Sequence, residues 1–203
     1  DLSIMRSMAN CKVIAPADGM ETALAVRAAY ETEGPVYIRI NRGFDQKVYD
    51  RMDYGYELGK AVELHEGTDL TIIACGPAVW SAREAANVLE RVDGIRARVL
   101  DMHTIKPIDQ EAVLAAVHDT RRIITVEDHN IIGGLGSAVA EVMAESGKAC
   151  AFKRLGVPDT FSIIGLHEDL MAHYGYDMNG ILETARELMD ADFEEDDNWD
   201  DEI

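Results

Sequence analysis

The chain has 203 residues, 47% apolar and 28% charged, which is enough for a sizeable core and excludes wholesale disorder. Its 38 acids against 19 bases leave a formal charge of −19, so nucleic acid and anionic membrane surfaces are excluded as expected partners. No apolar run reaches the length of a membrane span, no targeting peptide opens the sequence, and Cys11, Cys75 and Cys150 have no metal-type spacing; reduced thiols in a cytoplasmic protein are expected.

The charge is uneven. Asp190–Ile203 holds nine acids and no base, leaving −10 on the rest of the chain. A like-charged block repels itself, so a disordered solvating tail is expected, with a docking strip anchored by Phe193 and Trp199 as the alternative.

Residues 1–8 carry Leu2, Ile4, Met5 and Met8 at near-helical spacing with no introducing cap, and Val13–Pro16 reads as a short strand. Asp18 is an acidic N-cap with Glu21 three residues on, opening a helix to about Glu33. Gly34-Pro35 breaks it, and alternating Val36, Ile38 and Ile40 predict a strand. Residues 43–58 show little periodicity and much polarity, and read as a linker with a domain boundary near Gly59.

Beyond it the rhythm is regular. Strands are expected at Lys60–Leu64, Leu70–Cys75, Ala97–Leu100, Ile123–Val126 and Ala151–Leu155. Helices are expected at Ala78–Val92, Asp109–His118, Ser137–Glu145, His167–His173 and Met178–Met189. Short apolar strands alternating with amphipathic helices predict an α/β fold, a mostly parallel sheet covered on both faces, with no long internal repeat.

Such sheets place their working loops at the strands' C-terminal ends, and three loops stand out. Glu127–Ser137 contains Gly133-Gly134-Leu135-Gly136 before a helix, but it lacks the dinucleotide fingerprint and its acidic pair opposes phosphate; tight helix–sheet packing is the simpler reading. Asp101–Asp109 offers His103 and Lys106 as candidate catalytic groups, against a structural role in which Asp109 caps the next helix. Arg39-Ile40-Asn41-Arg42-Gly43 ends a strand with an arginine able to fork onto a phosphate, or equally to form a surface salt bridge. His65, His118, His167 and His173 show no metal-ligand spacing, and no nucleophile or acid–base pair stands out.

Six segments in order carry a further likeness: Asp1-Leu2-Ser3-Ile4-Met5-Arg6, Val13–Asp18, Gly34–Arg39, Met102–Asp109, Val126–Ser137 and Leu155–Asp159. Together they resemble the C-terminal part of a transketolase, and most of all the separately encoded C-terminal subunit of split transketolases. The likeness covers Asp1 to about Met189. It implies that residues 1–45 are the closing portion of a thiamine-diphosphate pyrimidine-binding domain, that 46–58 link, that 59–189 form a three-layer α/β/α transketolase C-terminal domain, and that 190–203 are a tail. It also implies a two-carbon ketol transfer between sugar phosphates, using thiamine diphosphate and magnesium held mainly outside this chain.

Among site residues, the resemblance carries over Arg42 alone, at the position where transketolases grip the sugar phosphate; Asn41 stands where a serine is common. No catalytic, cofactor-binding or metal-binding residue of this chain is assigned, and His103–Asp109 and Glu127–Ser137 take structural roles. The partner implied is an N-terminal cofactor-binding half or subunit, in a dimer or heterotetramer, with this chain alone inactive. The alternatives are a fragment of a 1-deoxy-D-xylulose-5-phosphate synthase, or a non-catalytic assembly or regulatory module. The absent initiator methionine and uncapped opening helix are expected of a chain cut from a longer one.

Overall fold

The computed structural model describes residues 1–42 and 46–191; Gly43, Phe193, Trp199 and the acidic stretch from Asp192 onward lie outside the described residues. The N-terminal portion comprises α1 (Leu2–Ser7), β1 (Lys12–Ile14), α2 (Gly19–Glu31) and β2 (Val36–Ile38). It is followed by β3 (Val62–His65), β4 (Leu70–Cys75), α3 (Ala78–Val88, continued by a π turn Leu89–Asp93), β5 (Ala97–Asp101), β6 (Thr104–Lys106) and α4 (Gln110–Asp119). The rest is β7 (Arg122–Asn130), α5 (Leu135–Ser146), β8 (Ala151–Val157), α6 (His167–Tyr174) and α7 (Met178–Asp190).

A five-stranded sheet in the order β3-β5-β4-β7-β8 is parallel except at its β3 edge. Alternation along β4 shows why its sequence, Leu-Thr-Ile-Ile-Ala-Cys, is apolar almost throughout. Ile72 and Ala74 face one core with α3 and α7, while Ile73 and Cys75 face another with α4 and α5. Helices on both faces give the expected three-layer α/β/α architecture.

A second sheet, β2-β1-β6, ties the N-terminal portion to the rest. β1 runs parallel to β2 and antiparallel to β6, with Ile14 opposite Thr104. The stretch expected as the Asp101–Asp109 loop therefore contains a strand. Three residues ended by Pro107 are too short to show periodicity, and β6 forms because β1 offers it an edge.

Local signals predict the helix starts well. The Asp18 Oδ1 accepts the amide hydrogens of Met20 and Glu21 at 2.9 Å each, and the Asp109 carboxyl accepts those of Ala112 and Ala61. The Glu21 carboxyl reaches back one residue beyond the cap, accepting from the Ala17 amide at 2.7 Å. β7 runs four residues past its expected end, through Glu127, Asp128 and His129, because the acids there find internal partners. No helix among the described residues is long and apolar enough to cross a membrane.

Residues 46–58 contain no helix or strand, yet they pack closely. Val48 and Tyr49 are buried in the same core as α3, and their amides donate to Asp18 Oδ2 at 2.9 Å each. Arg83 of α3 donates to the Val48 carbonyl at 2.8 Å. The segment is a strap across the joint between the two sheets.

Candidate functional site

The end of β2 and the end of β7 meet around a cleft of about 480 Å³, lined by Asp1, Arg39, Asn41, Arg42, Asp128 and His167 among others. Two of the three loops singled out in the sequence thus converge. Arg39 sits between two carboxylates, with Nε 3.3 Å from Asp1 Oδ2 and Nη1 3.4 Å from Asp128 Oδ2. Tyr37 donates to Asp1 Oδ2 at 2.6 Å, and the Asp1 nitrogen lies 3.2 Å from His129 Nε2.

Asp128 is the hub. Its Oδ2 also lies 3.4 Å from His167 Nε2, and its Oδ1 accepts from the Tyr176 hydroxyl at 2.9 Å. Burial by itself would raise its pKa, but the His167 hydrogen bond, the Arg39 guanidinium and the Tyr176 hydroxyl together outweigh burial and hold the carboxyl at about 2. Asp128 is therefore a fixed anion that occupies Arg39. Arg42 differs. It is exposed on the cleft wall, and among the described residues no carboxylate pairs with it. Among the described residues, one cation of the cleft is neutralised by carboxylates and the other is not.

The glycine loop has a different use. Glu127, fully buried, accepts the amide hydrogens of Leu135 at 2.7 Å and Gly136 at 2.8 Å, so the protein's own carboxylate fills the anion position at the start of α5. A Cβ on Gly134 would land on Glu127 Oε2, which explains the glycine as room for that carboxyl.

His103 and Lys106 do not join the cleft. Lys106 Nζ donates to the Arg6 and Met8 carbonyls at 2.8 and 2.6 Å, fastening α1. His103 is fully buried beneath Tyr56, with ring centroids 4.3 Å apart, and burial lowers its pKa to about 4, so it stays neutral. The thiols are equally quiet: burial pushes Cys150 up to about 11 and Cys75 well above its ordinary value.

Sequence reasoning missed Asp1, Asp128 and His167 as cleft residues, and Tyr176 as the buried partner of Asp128. The acidic Glu127-Asp128 pair at a strand end was the available signal, since two adjacent acids on a buried strand each require a partner from elsewhere in the chain. Among the described residues no group of three His, Cys, Asp or Glu side chains could hold a metal ion.

Comparison with known proteins gives this geometry its context. The family described as Transketolase, C-terminal domain matches residues 59–181, and Transketolase, pyrimidine binding domain matches residues 1–44. The chain belongs to the transketolase family. An apulose-4-phosphate transketolase component from Phocaeicola vulgatus is 41% identical over 93% of this chain and 60% of its own length. A solved structure described as a split gene transketolase, inactive beta4 tetramer, superposes with a TM-score of 0.83 at 38% identity, covering 93% of this chain and 60% of that one. The 1-deoxy-D-xylulose-5-phosphate synthase of Heliobacterium modesticaldum is 37% identical over 95% of this chain, but that match spans only 30% of the synthase. The chain thus covers about 60% of these split-transketolase relatives, and far less of the synthase.

Proposed function

We propose that this chain is the C-terminal component of a split transketolase, transferring a two-carbon ketol unit between sugar phosphates. Arg42 is its contact to the substrate phosphate. The observation that carries the assignment of Arg42 is the division of labour in the cleft, where Asp1 and Asp128 neutralise Arg39 while Arg42 has no carboxylate among the described residues. A guanidinium so placed offers paired donors in the fork geometry a phosphate accepts. Asn41 beside it supplies a neutral amide to the same wall. The relatives favour transketolase over the synthase reading, because the match takes up twice the share of the transketolase component.

Thiamine diphosphate supplies the carbon nucleophile when bound. The donor set on this chain does not suit the diphosphate–magnesium end of that cofactor, since the carboxylates of the cleft are already committed to Arg39, His167 and Tyr176. That end of the cofactor belongs to a partner. This chain's part is to hold and orient the phosphorylated end of the sugar at Arg42.

The same reading divides the chain into a closing portion of the pyrimidine-binding domain at residues 1–45, a connector at 46–58, the C-terminal domain at 59–189 and an acidic tail at 190–203. The partner is an N-terminal cofactor-binding half, in a dimer or heterotetramer within the cytoplasm. Fully exposed Phe161 and Ile164, with Leu166, in the loop before α6, and exposed Ile4 and Tyr30 on α1 and α2, suit contacts between chains.

The test is Arg42→Ala in the complete enzyme. Loss of one charge-assisted contact raises KM for phosphorylated sugars about tenfold or more while kcat moves little. An unchanged KM would return Arg42 to a surface role.

A further inference from the structure

Under the strap lie two carboxyl groups, and among the described residues no cation pairs with either. Glu21 is at the start of α2 and Asp101 at the end of β5, both fully buried. Asp101 Oδ2 accepts from the Tyr49 hydroxyl at 2.6 Å, and Glu21 accepts from the Tyr54 hydroxyl at 2.8 Å and the Ala17 amide. Asp101 Oδ1 is buried and receives no hydrogen bond from a described donor, the Tyr49 and Tyr54 rings that serve the two carboxyls stack with centroids 3.6 Å apart, and the Glu21 and Asp101 side chains interact directly. Two carboxyl oxygens in contact without a donor repel unless one carries a proton.

The geometry points to a latch: Glu21 and Asp101 retain a proton between them, and this protonated pair is what holds Tyr49 and Tyr54, and through them the 46–58 strap, across the joint between the two sheets. They are positioning residues, since neither lines the cleft. The strap starts four residues after Arg42 in the sequence, and the latch does not rest on the reading of Arg42 above.

The surroundings support proton retention. Asp18 from α2 adds a third carboxylate, Cys75 from β4 feels the Asp101 charge, Tyr49, Tyr54 and Tyr56 close the strap side, and neutral His103 lies under Tyr56. Burial moves both carboxyls up: for Glu21 it outweighs the hydrogen bonds from Ala17 and Tyr54 and the Asp101 contact, with the Asp18 charge adding to it, and holds the group at about 7; for Asp101 burial and the Glu21 charge hold it well above its ordinary value. Raising pH through about 7 therefore ionises Glu21 beside Asp18, and the buried negative charge this creates loosens the strap.

Asp101→Asn places a permanent donor toward Glu21 while its amide oxygen still accepts from Tyr49. The experiment is amide hydrogen exchange of Val48 and Tyr49 in the full chain, corrected for intrinsic rates, at about pH 6 and about pH 8.5. Protection in the wild-type protein should fall about tenfold, the change carried by one pKa unit, and stay level in Asp101→Asn. Level protection in the wild type, or an equal fall in both proteins, would overturn the latch. Should the variant not fold, carboxyl-carbon NMR titration of the wild type decides: Glu21 and Asp101 titrating above pH 6 support it, and ordinary values near pH 4 overturn it. The KM test on Arg42→Ala fails or succeeds independently of either readout.

Discussion

The Asp128 cleft and the Glu21–Asp101 joint are built from the same residue type and reach opposite protonation states. Asp128 is half-buried beside His167, Arg39 and Tyr176, so its carboxyl is held down at about 2. Glu21 and Asp101 are more deeply buried, with the Asp18 charge nearby and no cation among the described residues, so both are held up. Burial opposes charge in both places, and the sign is decided by whether a cation or another carboxylate shares the space. The cleft is thereby a fixed electrostatic frame, while the joint is responsive to pH.

Several substitutions break or sharpen that contrast. The largest expected effect comes from Glu127→Ala, which strands the buried amides at the start of α5 and should cost about 3 kcal/mol in chemical denaturation. A loss under about 1 kcal/mol would mean the α5 terminus is satisfied another way. Asp128→Asn should cost roughly 2 kcal/mol at neutral pH. Because the folded carboxyl titrates low, that contribution is present above about pH 4 and disappears as pH falls towards about 2, so wild type and variant should converge in acid.

The joint should show the opposite slope. Glu21 is raised when folded, so its contribution is full below about 4.5 and is lost as pH rises through about 7. Asp101→Asn should flatten this part of the stability profile, measured by urea denaturation across the neutral range; an unflattened profile would assign the slope to other groups. The smallest effect is expected from Arg186→Ala on the exposed face of α7. Its pair with Asp93, at 2.9 Å, is solvent-screened and should leave the denaturation midpoint nearly unchanged, which provides a baseline for the buried groups.

Much of the fold was legible because it is written in short-range pattern. The strand Leu70–Cys75 declares burial on both faces, and Asp18 and Asp109 announce the helices they cap. Arg42 was visible as a strand-end arginine before glycine, sharpened by family resemblance. The remainder of the cleft was not, because Asp128 and His167 lie about 90 and 125 residues from Arg42 and no local periodicity connects them. The polar 46–58 segment reads as a linker for a similar reason: its tyrosines become core only when Asp101 and Glu21 are beneath them.

The amino-acid sequence by itself determined the three-layer α/β/α class and the main helix starts, since periodicity and capping act within a few residues. Tertiary structure alone decided which charges are paired within the chain. Glu127 fills a helix terminus, Asp128 neutralises Arg39, and Glu21 meets Asp101 because folding brings distant charged groups into a medium where their pairing, and not their identity, sets the protonation state.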